Sequence, residues 1–120
     1  MDNTFKTDEK LYRAVYPPEV MDMFWRKDGG VSSAAFADPR GLSVDRGDYR
    51  ADDVVAASMK ERFTGSIVYF YVKHANDAGA FIKYSPSGAN PYHTLVLGSR
   101  ETPLLSKEQR SILARKAVVL

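Results

Sequence analysis

The segment Ser66-Ile-Val-Tyr-Phe-Tyr-Val-Lys73 constrains the fold more than any other stretch of the chain. Its β-branched and aromatic side chains follow one another without the alternation of a strand that faces water on one side. Such a run predicts a strand covered on both faces. The longest apolar run in the chain lies within it, Ile67 to Val72, and falls far short of the roughly 20 residues that span a bilayer.

The neighbouring segments supply the rest of a sheet and its helices. Lys10 to Tyr16 reads as a short strand stopped by Pro17-Pro18, and Leu42 to Asp45 as a brief one. Glu19 to Trp25 has room for one helical turn. Ala51, Val55, Met59 and Phe63 recur every four residues and predict a helix over 52–63 with that stripe buried. Asp52 and Asp53 suit its N-terminal dipole, and Thr64-Gly65 ends it. Asn76-Asp77 reads as a turn, Ala80 to Tyr84 as a returning partner strand, and Thr94 to Leu97 as another strand. Ser106 with Gln109 three residues on forms a capping box that opens a helix to about Val118, with Ile112, Leu113 and Ala117 on its apolar side. The region 66–97 thus reads as an antiparallel meander. The expected class is α+β: one domain over 10–120, a curved, mainly antiparallel sheet, and two main helices on one side. Residues 1–9 are expected to fray.

Composition narrows the function classes. The 120 residues are 44% apolar, with 7 Tyr and 6 Phe, enough for one core without staples. The absence of cysteine excludes disulfides, thiolate nucleophiles and zinc–thiolate sites, and fits a cytoplasmic protein. The opening MDNTFKTDEK is polar and has no apolar stretch of the secretory kind. Seventeen basic and fifteen acidic residues leave a net charge of +2, with the signs mixed along the chain. That pattern disfavours nucleic acid as a partner. Arg110, Arg115 and Lys116 read first as a solvated helix face.

No stand-alone catalytic or phosphate-loop motif is present. The candidate ligand-binding residues are Arg13, Ser32, Ser33, Asp45, Arg46 and His93. Arg13 sits inside a predicted strand, where a guanidinium must meet a carboxylate, a phosphate or backbone carbonyls. A structural ion pair with Asp45 or another acid is the plainer expectation, and an anion clamp the functional one. His93 opens a strand after Asn90-Pro91-Tyr92 and is the candidate general acid or base. A histidine held by a loop carbonyl is the plainer alternative. His74 and His93 without clustered carboxylates make no metal site, and no cofactor is expected. Ser32 and Ser33 follow Gly29-Gly30, and turn capping outranks anion binding there. Asp45-Arg46 is expected as a surface or rim ion pair. A Ser33–His93–Asp45 set can be written down, but its spacing has no precedent among nucleophile motifs. Trp25 reads as core filling before base stacking.

The ordered series LYR at 11–13, SSAAF at 32–36, LSVDR at 42–46 and NPYHTLVLG at 90–98 resembles a group of small bacterial proteins of unknown function. A weaker likeness is to the ADP-ribosyltransferase fold. Arg13 loosely matches the Arg or His of that fold's first strand, and Ser32-Ser33 its serine strand. Glu108 comes late, like its acidic residue, but stands at a predicted helix start. Two functions follow as expectations. One is a binding protein with a protein partner, of the kind found in bacterial defence, toxin–antitoxin or phage-related systems. The other is a small enzyme or sensor for a nucleotide or other phosphate-bearing ligand, whose pocket the second likeness implies.

Overall fold

The computed structural model describes residues 1–120. Six strands form one antiparallel sheet: β1 Lys10–Val15, β2 Leu42–Arg46, β3 Ser66–Tyr71, β4 Phe81–Tyr84, β5 His93–Leu97 and β6 Val118–Val119. Their order across the sheet is β4-β5-β2-β1-β3-β6. Three helices accompany them: α1 Asp52–Lys60, α2 Val72–Asp77 and α3 Lys107–Lys116. Short 3₁₀ turns lie at Asp22–Phe24 and Ser33–Phe36. The α+β class and the single compact domain match the expectation. No helix is long and apolar enough to cross a membrane.

Strand alternation assigns the two faces. On one face Leu11, Val15, Leu42, Val44, Val68, Phe70 and Val96 pack against Ala35 and Phe36 of the second 3₁₀ turn, Ala75 of α2, and Leu113 and Ala114 of α3. Phe36 meets Phe70 edge-on, with centroids 5.9 Å apart. Each fully buried Leu, Val or Phe among them contributes roughly 1.5–3 kcal/mol. On the other face Tyr12 and Ile67 pack against Val55 and Met59 of α1. β3 is therefore covered on both faces, as its composition predicts. The two longer helices, however, lie on opposite faces and not on one side. The period-four stripe of α1 is buried only at Val55 and Met59, while Phe63 lies beyond the helix and remains exposed.

Three further expectations are corrected. Val72 and Lys73 do not extend β3. They open α2, which includes Asn76 and Asp77. β4 consequently does not return beside β3. α2 carries the chain away from β3, and β4 pairs with β5 at the far edge. The first nine residues are anchored rather than frayed. Glu9 is buried, the Val72 N–H donates to its carbonyl, and the Lys73 N–H donates to Thr7 O. The Arg46 guanidinium reaches Asp2 O, Thr4 O and both Glu9 carboxylate oxygens.

One glycine is sterically required where α1 turns into β3. Gly65 has φ +131°, and a Cβ there would stand 2.3 Å from Val15 O.

Candidate functional site

The sheet is incompletely zipped at its centre. β1 and β2 pair only at Leu11↔Arg46 and Tyr12↔Asp45. Beyond that point β1 stays with β3 as far as Val15↔Ser66, and β2 stays with β5 as far as Leu42↔Val96. The opening between Arg13–Val15 and Leu42–Val44 leaves backbone carbonyls without a strand partner. Arg13 fills it. Its Nε donates to Ala35 O and its Nη1 to Ser43 O, each at 3.0 Å. No carboxylate comes within salt-bridge distance of this guanidinium. Burial pulls its pKa below the ordinary value, opposed only by the charge of Asp38. Nη2 has no protein partner, and no buried side-chain nitrogen or oxygen lacks one, so Nη2 reaches open space.

Arg13 lines a hollow of about 390 Å³ together with Ser43, Asp45, Arg62, Asn90 and His93, among others. β1, β2 and β5 supply the floor, the residues after α1 supply Arg62 and Phe63, and the β4–β5 loop supplies Asn90. Asp45 organises one wall. Its two oxygens accept from Arg62 Nη2 at 2.7 Å and Asn90 Nδ2 at 2.8 Å. His93 faces Asp45 across the β2–β5 ladder but bonds elsewhere. Its Nδ1 lies 2.8 Å from Ser85 O, and its Nε2 lies 3.3 Å from Ser43 Oγ. A carbonyl only accepts, so Nδ1 carries the proton of the neutral ring and Nε2 presents a lone pair to the serine hydroxyl.

A second hollow of about 670 Å³ adjoins the first. The two share Arg13, Ala14, Arg62 and Phe63, and so form one groove. The second adds Arg40, with its side chain 92% exposed and 3.8 Å from Asp38. Three guanidinium groups thus face the groove against two carboxylates, an excess that favours an anion.

The expected site residues divide. Arg13, Asp45 and His93 line one hollow. The expected Arg13–Asp45 ion pair is absent, because Asp45 pairs with Arg62. Arg46 points to the opposite face, where it is buried with Glu9. Burial opposes its charge most strongly, but the Glu9 hydrogen bonds together with the negative charges of Glu9 and Asp48 outweigh it and raise its pKa. The dipeptide Asp45-Arg46 is therefore no surface pair. Ser32 Oγ donates to Met23 O at 2.6 Å, and Ser33 opens the second 3₁₀ turn on the α3 face. Both serines are outside the groove and neither lies in a strand. The Ser33–His93–Asp45 set does not assemble. Trp25 packs against the core and donates Nε1 to Tyr16 O.

Ser43, Arg62 and Asn90 belong to the site without having been singled out. Ser43 and Asn90 sit inside LSVDR and NPYH, segments whose mix of polar residues and strand ends already marks them. Arg62 follows α1 and carries no such signal. Compared with known proteins, the chain matches no family model, no curated protein and no solved structure.

Proposed function

We propose that the groove binds a small phosphate-bearing ligand, a nucleotide or another phosphate ester or anhydride, in a small enzyme or sensor. The observation that carries this reading is the Arg13 guanidinium, which lines the hollow with no carboxylate at salt-bridge distance and no protein partner on Nη2. A buried charge is costly unless something neutralises it, and a phosphate oxygen accepting from Nη2 would do so through a charge-assisted hydrogen bond. Arg62 and Arg40 add charge along the same groove. Of the ADP-ribosyltransferase likeness only Arg13 contributes, since Ser32, Ser33 and Glu108 do not line the groove. A thermal-shift series with pyrophosphate, nucleoside diphosphates and sugar phosphates tests the reading. At a hundred times Kd, a specific ligand adds about 2.7 kcal/mol of stability. No shift with any of them at millimolar concentration contradicts it.

A second reading, a binding protein with a protein partner in a bacterial defence or phage-related setting, draws on Tyr16, Val20 and Met23. These large apolar side chains are exposed close together in the chain after β1. A photo-crosslinking residue at Met23 should then give one discrete adduct in cells. A ladder of adducts, or none, counts against it.

A further inference from the structure

We propose that Ser43 and His93 act as nucleophile and general base on a phosphoryl ester held in this groove, an inference that rests on the phosphate-binding reading above. The pair is singled out by geometry. Ser43 is exposed in the middle of β2, and its hydroxyl meets the imidazole nitrogen that carries the free lone pair. The other ring nitrogen is held by Ser85 O, which fixes both tautomer and orientation. Three other serine hydroxyls are engaged with backbone: Ser32 with Met23 O, Ser87 with the Asn90 N–H, and Ser106 with the Gln109 N–H. The 3.3 Å separation is that of an unliganded nucleophile–base pair, which tightens when substrate is bound.

Electrostatics place the charge-stabilising groups beside this hydroxyl. Arg13 donates to the carbonyl of Ser43 itself, so its guanidinium sits next to the nucleophile. Asp45 holds Arg62 and Asn90 toward the same hollow. Positioned donors of this kind stabilise the equatorial oxygens of a transferring phosphoryl group.

The reaction balances with water as the only co-reactant. Ser43 Oγ attacks phosphorus and forms an O–P bond while its proton passes to His93 Nε2. The P–O bond to the alcohol breaks, its electron pair goes to the departing oxygen, and that oxygen takes the proton from Nε2. Water then attacks the phosphoserine, giving a proton to Nε2, and the O–P bond breaks as Oγ recovers that proton. One ester and one water yield one alcohol and one phosphate, and no electrons are exchanged with any other species.

A plain inter-strand hydrogen bond would leave the hydroxyl unreactive, and a fluorophosphonate probe separates the two cases. Intact mass and peptide mapping of the folded wild-type chain should show one adduct, on Ser43, that urea-unfolded protein does not form. Ser43→Ala should abolish it. His93→Gln, which can still meet Ser85 O, should slow labelling about 100-fold or more. Pyrophosphate should protect against it. Absence of an adduct on the wild type, an adduct elsewhere, or labelling of Ser43 undiminished in His93→Gln overturns the proposal. Pyrophosphate binding without any labelling overturns the nucleophile and leaves the phosphate groove standing.

Discussion

Arg13 and Arg46 show how one residue type at two neighbouring strand positions serves opposite ends. Arg46 is sealed with Glu9 through two charge-assisted hydrogen bonds of 2.8 and 2.9 Å. Removing the acid strands a buried cation, so Glu9→Ala should cost about 3–5 kcal/mol in urea unfolding. That is a large share of the roughly 5–15 kcal/mol that holds a domain of this size. Arg13 has no acid, only two carbonyls. Arg13→Met leaves those carbonyls unpaired and should cost about 1–3 kcal/mol, while lowering pyrophosphate affinity at least about tenfold in calorimetry. A variant that loses stability but keeps affinity would make Arg13 a structural brace alone. At this scale the sequence shows that Arg13 and His93 need partners, because a guanidinium among apolar strand neighbours cannot stay unpaired. It does not show which partners. Asp45 and Arg46 are adjacent, yet strand alternation sends one to the groove and the other to the opposite core, a separation that only register decides.

Among the elements, legibility tracks the strength of the local signal. The Ser106–Gln109 capping box is a two-residue chemical pattern, and it forms: Gln109 N–H to Ser106 Oγ at 3.1 Å and Ser106 N–H to Gln109 Oε1 at 2.8 Å. Ser106→Ala should therefore cost about 1 kcal/mol, read as a lower unfolding midpoint with an unchanged denaturant slope. β3 is equally plain, because its composition suits burial on both faces. α2 is not. It has six residues and opens with the β-branched Val72, continuing the β-like pattern of the strand before it. Its formation depends on Ala75 packing into the main core, a tertiary contact. Missing α2 turns the expected meander into the wrong neighbour for β4.

For the molecule as a whole, pH reports how the α1 face is held. Asp52 accepts from the buried Tyr12 hydroxyl at 2.5 Å and from Lys10 at 3.0 Å, and these bonds, Tyr12's first, hold its carboxyl below the usual range. A depressed folded-state pKa means that the unfolded chain binds the proton more readily. The contribution of Asp52 is complete above about pH 4 and fades as pH falls below it. Wild type should lose stability over that acid range faster than Asp52→Asn. Parallel losses would show that the Asp52 contacts contribute nothing. The strand order and the opening between β1 and β2 were beyond reach from sequence, since both follow from which strands stop pairing and not from what any segment prefers. In the proposed reading this opening holds Arg13 ready for phosphate. Nitrogen-15 NMR of the arginine Nε–Hε groups during a pyrophosphate titration tests it most directly. The Arg13 and Arg62 resonances should move together and saturate with a single Kd. Shifts confined to exposed Arg40 and rising without saturation, while Arg13 stays still, would contradict it.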